Sequence, residues 1–171
     1  GTTTDVVTPI QIELPRKDEQ GNITYEASKP NEIKRIGTLR YTTYVVTEDN
    51  TIYATGNGEQ GQIGNNNSGR VNRFTEVKDV NKEIFNTGLD VDKIVNSSVY
   101  GTTAYVITSD GAVYGWGLNK SNQLQKVTTI GVYNYAVRLG QVGERIKVQH
   151  IKVGEEINVA VDSSYLMQGY N

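Results

Sequence analysis

Tyr44-Val45-Val46-Thr47-Glu48-Asp49-Asn50-Thr51-Ile52-Tyr53-Ala54-Thr55-Gly56 is matched without a gap by Tyr105-Val106-Ile107-Thr108-Ser109-Asp110-Gly111-Ala112-Val113-Tyr114-Gly115-Trp116-Gly117. The offset is 61 residues throughout, 44 to 105. The same offset carries Gly61-Gln62-Ile63-Gly64 onto Asn122-Gln123-Leu124-Gln125. A fixed period of this size marks a repeat architecture. Repeat proteins work mostly as surfaces for partners, so the first functional expectation is binding.

Each copy reads as a β-hairpin. The flanks Tyr44-Val45-Val46-Thr47 and Thr51-Ile52-Tyr53-Ala54 are β-branched and aromatic, which suits a pleated, half-buried surface. Between the flanks lie Glu48-Asp49-Asn50 and, in the second copy, Ser109-Asp110-Gly111. Asp-Asn and Asp-Gly tolerate the positive φ of a tight hairpin turn. A Gly/Asn-rich loop follows over 56–67, then a further strand, Arg73-Phe74-Thr75-Glu76-Val77. Short apolar segments precede each hairpin, Lys34-Arg35-Ile36 and Asp92-Lys93-Ile94-Val95. About four short strands per unit is the content of one propeller blade.

These residues resemble the repeat of the regulator-of-chromosome-condensation family, which reads roughly A-L-T-x-D-G-x-V-Y-x-W-G-x-N-x-x-G-Q-L-G. The second copy supplies Val106 to Asn119 of that pattern, and the first supplies Gly61-Gln62-Ile63-Gly64. A third, decayed copy closes the sequence from Ala160 to Asn171, with a hairpin turn about two residues shorter. The opening Gly1 to Pro9 is similar to the tail of an earlier repeat, as Asn66 to Phe74 is in the first complete copy. The resemblance implies an all-β fold: a partial β-propeller of about two and a half to three consecutive four-stranded antiparallel blades. Gly56, Gly61, Gly64, Gly117, Asp110, Gly111, Trp116, Tyr53 and Tyr114 are then structural, serving turns and packing. The family includes seven-bladed exchange factors, chromatin binders, enzyme inhibitors and surface modules, and fold does not transfer function. Where the family often has a His at the start of the inner strand, this chain has Thr42, Thr103 and Ile157. No residue of the exchange-factor interaction finds a matching position, and none is carried over.

The array divides into 1–33, the tail of a preceding repeat plus an insertion; 34–91, a first repeat; 92–147, a second repeat with an insertion; and 148–171, the start of a third. Three stretches depart from the repeat: 14–32, 80–90 and 126–147. The first and last are expected to project from one rim as insertions. With 171 residues the chain holds fewer than three full periods, and a closed propeller needs at least four blades. The sequence therefore reads as a piece of a longer array, or half of an assembly, whose open blades are covered by neighbouring repeats or by self-association.

Net charge is −2, and the 17 basic residues are scattered along the sequence, so no basic stripe points to nucleic acid. No apolar run approaches a membrane span. Cysteine is absent, which excludes thiol catalysis, disulfides and Cys-based zinc sites. That absence fits the cytosol. It also fits exported proteins of Gram-positive bacteria, toward which the Asn, Tyr, Ile and Lys richness leans, so an extracellular or cell-surface location is expected. Three Asn-x-Ser/Thr matches, at Asn22, Asn66 and Asn96, are expected by chance in a chain this rich in Asn, Ser and Thr.

Candidate chemistry is sparse. Gly56-Asn57-Gly58-Glu59-Gln60-Gly61 matches G-x-G-x-x-G after a strand, but that fingerprint needs a helix next to hold a pyrophosphate. Gln62-Ile63-Gly64-Asn65-Asn66 is a poor helix former, so the pattern is loop chemistry. His150, the sole histidine, sits where the apolar phase shifts between Val148 and Ile151, which suggests a bulge. Glu48-Asp49, Asp90-Asp92 and Glu155-Glu156 read as solvated turns, without calcium-loop spacing. Tyrosines outside the repeat equivalence, Tyr41, Tyr100, Tyr133 and Tyr135, are the candidate partner-binding residues, because tyrosine supplies rigid area with a polar tip. The expected function is a non-catalytic protein-interaction scaffold, partnered by a protein or another cell-surface macromolecule and needing no cofactor, metal, nucleic acid or membrane insertion. The alternatives are a propeller-type enzyme inhibitor and a glycan-active enzyme.

Overall fold

The computed structural model describes residues 8–96, 102–124, 129–139, 148–153, 158–162 and 167–170, with backbone alone for 92–96 and from 148 onward. Every regular element in it is a strand: β1 Glu13–Lys17, β2 Ile23–Ala27, β3 Ile33–Leu39, β4 Thr42–Thr47, β5 Ile52–Gly56, β6 Val71–Glu76, β7 Val91–Asn96, β8 Thr103–Thr108, β9 Val113–Leu118, β10 Val132–Arg138, β11 Val148–Val153, β12 Asn158–Asp162 and β13 Met167–Tyr170. They form antiparallel sheets in the orders β3-β4-β5-β6, β7-β8-β9-β10 and β11-β12-β13, with β1-β2 as a separate hairpin. The first strands of successive sheets lie side by side, β3 by β7 and β7 by β11. That is the placement of inner strands in consecutive propeller blades.

The hairpin turns fall where the repeat puts them, and both copies close them in the same way. The Thr47 hydroxyl donates to Asp49 Oδ1 at 2.6 Å, and the Thr51 amide donates to the same oxygen at 3.1 Å. In the second copy the Thr108 hydroxyl and the Ala112 amide donate to Asp110 Oδ1 at 2.5 and 3.1 Å. Asn50 and Gly111 take the left-handed conformation, at φ 67° and 84°. The Thr108 hydroxyl, followed by the Ala112 amide, holds the Asp110 carboxyl below its usual 3.8. A folded pKa below the unfolded one gives stability that is complete above the unfolded value and is lost as pH falls through the folded one. Acidification below about pH 3.8 is therefore expected to destabilise the chain, and Asp110→Asn to flatten part of that loss. Thermal unfolding of both proteins at about pH 6 and about pH 3 checks it; equal acid losses in the two would refute the assignment.

Each blade has one face toward the preceding element, here its leading face, and one toward the next, its trailing face. Tyr44, Val46, Ile52 and Ala54 on the trailing face of the first blade pack with Ala104, Val106, Tyr114 and Trp116 on the leading face of the second. Trp116 is fully buried, edge-on to Tyr44 with ring centroids 6.0 Å apart. The Gln62 carbonyl accepts from both the Tyr44 hydroxyl and the Trp116 indole N–H, the latter at 2.9 Å. Burial pushes the Tyr44 phenol well above its ordinary pKa, so it remains a donor. A Cβ at Gly64 would lie 2.9 Å from the indole ring, so glycine is what lets the loop close over Trp116. Tyr105 repeats the Tyr44 bond one blade on, donating to the Gln123 carbonyl at 2.9 Å.

The described residues of the three stretches expected as departures belong to the architecture. Residues 14–32 do not project as an insertion: β1 and β2 lie on the leading face of the first blade, where Leu14, fully buried, packs with Val45 and Tyr53. Residues 126–147 contain β10, the fourth strand of the second blade, paired with β9. Residues 80–90 continue a short hairpin with the turn of β1-β2. In that turn Asp18 Oδ1 accepts from the amides of Gln20 and Asn22, and Asp79 Oδ1 accepts from those of Asn81 and Glu83. Gly21 and Lys82 hold the positive φ. The 61-residue period thus extends to Asp18 and Asp79. The expected bulge near His150 is present as a register shift between Val148 and His150.

Candidate functional site

Side chains that recur at the repeat offset are consumed by the fold. The Thr42 and Thr103 hydroxyls donate to the Asn57 and Leu118 carbonyls, tying β4 to the start of the loop after β5 and β8 to the end of β9. Gln62 and Gln123 side chains accept from the amides of Gln60 and Ser121. Tyr53 is 8% exposed on the leading face of the first blade, and burial pushes its phenol up to about 12. Tyr114 packs against Phe85 with the rings tilted and their centroids 4.9 Å apart, in the seam between the blades.

The candidate binding tyrosines separate. Tyr133 is a core residue: only 5% exposed, it lies on β10 with Tyr105 and Leu124, T-shaped to Tyr135 at 5.8 Å. Its place on a strand that packs by its trailing face corrects the expectation that it sits on a projecting loop. Tyr135 is half-buried against the same cluster. Tyr100 lies outside the described residues. Of the described candidates Tyr41 alone is openly presented, 59% exposed, with the Arg40 guanidinium 4.9 Å from its ring centre.

Tyr41 borders an open groove on the leading face of the first blade. The groove consists of two depressions of about 490 and 520 Å³ that share Thr55 and Asn72. One is lined also by Tyr41, Thr43, Gly56, Asn57, Arg70 and Val71. The other runs under the β1-β2 hairpin along Ile10, Ile12, Ala27, Arg73 and Phe74. On the second blade the corresponding surface is covered by the loop after β5. There the Asn66 amide donates to the Asn134 carbonyl at 2.7 Å, and Gly61 abuts Val132. Trp116, which anchors that loop, falls at the repeat offset on Thr55, whose hydroxyl is committed to the Val71 carbonyl at 3.1 Å. The groove is therefore the place where a bulky side chain and its overlying loop sit one blade later. Reading the sequence for partner residues missed Thr55, although Thr55 against Trp116 is a visible mismatch inside the strongest match.

Among known proteins, a 99-residue stretch covering 58% of the chain is 30% identical to the human X-linked retinitis pigmentosa GTPase regulator. The chain spans 9% of that relative's length. Solved structures of similar fold include human WBSCR16, with TM-score 0.69, 17% identity and 88% of this chain against 35% of that one. Yeast RCC1 (Prp20), solved bound to Kap60, follows with TM-score 0.62, 15% identity and 81% of this chain against 32% of that one. Prp20p from Saccharomyces cerevisiae, described with its binding to Gsp1p and histones, has TM-score 0.60, 14% identity and 93% against 43% coverage. No protein-family model matches the chain. The repeat pattern is similar to that of regulator-of-chromosome-condensation proteins, and the sheets have the fold of their β-propeller blades.

Proposed function

We propose that this chain, built of regulator-of-chromosome-condensation repeats, is a non-catalytic scaffold that holds a partner protein on the groove beside Tyr41. The observation that carries this is the division of labour among its polar side chains. Those recurring between copies are spent on turns and seams, while Tyr41, Arg70 and Asn72 are left exposed on a rigid face. Structurally similar Prp20 engages proteins, Kap60 among them, which supports a protein as the partner. Neighbouring repeats or a second copy cover what remains open of the outer blades. An extracellular or cell-surface location belongs to the same reading, and cell fractionation decides it.

The test pairs affinity with stability. The immobilised chain captures its partner from extract of the source cells, and the purified partner is titrated against variants. Tyr41→Ala is expected to weaken binding about tenfold, as truncation of an exposed aromatic anchor does, with the melting temperature unchanged. Tyr133→Ala is expected to lose about 3 kcal/mol of stability, as an emptied aromatic core site does. The scaffold reading fails if no protein forms a saturable complex, or if Tyr41→Ala binds as well as the wild type.

A further inference from the structure

The groove has an electrostatic character that its counterpart on the second blade lacks. There the seat presents Trp116 and Ala136, both buried. Here three exposed arginines stand around it: Arg70 and Arg73 in its walls, and Arg40 beside Tyr41. None of the three pairs with a carboxylate among the described residues, whereas Arg16, Lys34 and Lys78 pair with Glu32, Asp90 and Glu76. Glu13 is the one carboxylate in the lining. In a chain of net charge −2, this is a local concentration of positive charge.

Two of the three, Arg73 and Arg40, are also held in position. The Arg73 guanidinium lies 4.6 Å from the Tyr25 ring centre and that of Arg40 lies 4.9 Å from Tyr41. A guanidinium laid on an aromatic face keeps its N–H fork directed outward, the geometry that grips a carboxylate with two parallel bonds. The groove's floor, Thr55, Ile12 and Phe74, is partly buried and offers a shallow apolar strip.

We propose that the groove binds an extended acidic segment of a partner protein, lying where the loop after β5 lies on the second blade, with carboxylates on Arg70 and Arg73. This rests on the scaffold reading. A glycine-rich loop of a like repeat is a poorer occupant: on the second blade such a loop hangs its Gln62 carbonyl on the Trp116 indole, and Thr55 has no donor to spare. Nucleic acid is poorer too, since three cations around a short groove fall short of a backbone-tracking stripe.

Fluorescence anisotropy on the purified chain tests this with a labelled peptide of alternating Glu and Gly. A Lys/Gly peptide of equal length and a single-stranded oligonucleotide form the other arms. The Glu/Gly peptide is expected to bind saturably. Arg70→Glu and Arg73→Glu should each weaken it about tenfold, since reversing a contacting charge both removes an attraction and adds a repulsion. Raising salt from about 0.05 to about 0.5 M should weaken it similarly, and Arg73→Lys should fall between wild type and Arg73→Glu. Circular dichroism should remain that of the wild type in every variant. Absence of saturable binding, binding indifferent to both reversals, or tighter binding of the oligonucleotide overturns the proposal. So does self-association in sedimentation that the same reversals abolish, because the groove is then taken by a second copy. Failure of the acidic peptide alongside a protein partner that depends on Tyr41 removes the acidic chemistry and leaves the scaffold standing.

Discussion

Trp116→Ala is expected to lose about 4 kcal/mol of stability, the middle of the range for emptying a large aromatic core site. Trp116 fills the seam between the first two blades, against Tyr44 and Phe85 at centroid distances of 6.0 and 6.3 Å. Its removal opens a void between two preformed sheets that cannot collapse without separating the Gly64 loop from β9. It also leaves the Gln62 carbonyl with the Tyr44 hydroxyl as its remaining donor. Trp116→Phe separates the two contributions: it keeps most of the ring and drops the N–H, so about 1–2 kcal/mol should go. Trp116 is the sole tryptophan, so its emission reports the seam during denaturant unfolding. A Trp116→Ala protein within about 1 kcal/mol of wild type would mean that the seam contributes little, against the burial argument.

Gly56→Ala and Gly117→Ala are expected to cost at least about 3 kcal/mol each, because two penalties coincide. Both glycines sit in left-handed backbone, at φ 116° and 110°. In both, an added Cβ would lie 2.2 Å from a backbone carbonyl oxygen, of Tyr41 and of Thr102. Those carbonyls accept from the Asn57 and Leu118 amides, so the backbone cannot yield without breaking the bond that ends the hairpin. Gly69 is the control. Its φ is 135°, yet nothing lies within 4 Å of its Cβ position, so Gly69→Ala should cost about 1–2 kcal/mol. Equal losses at Gly56 and Gly69, measured by urea unfolding, would show that dihedral strain alone matters and close approach does not.

The blades were legible because the hairpin carries its own chemistry. Thr47, Asp49 and Asn50 recur as Thr108, Asp110 and Gly111, and each is needed by the turn. The second turn of the repeat was not legible, since Asp18-Glu19-Gln20-Gly21-Asn22 and Asp79-Val80-Asn81-Lys82-Glu83 share one residue. Their likeness lies in backbone amides converging on one carboxylate oxygen. β10 was missed for another reason. Its pairing with β9 slips between Tyr133 and Val137, so period-2 alternation breaks mid-strand and the tyrosines look unconstrained. Of the site, the exposed Tyr41 was legible, but the clustering of Arg40, Arg70 and Arg73 is a tertiary fact that charge spacing along the chain conceals.

The Gln62 carbonyl has a consequence for synthesis. Its first donor, Tyr44, lies 18 residues away and precedes it, while its second, Trp116, lies 54 residues further on. A chain emerging from a ribosome at about 5–20 residues per second completes its first blade seconds before the indole exists. For that interval Tyr44, Val46 and Ile52 face solvent, an apolar sheet face on a nascent chain. Blade-by-blade growth thus keeps contacts local, and carries its aggregation hazard forward one blade at a time.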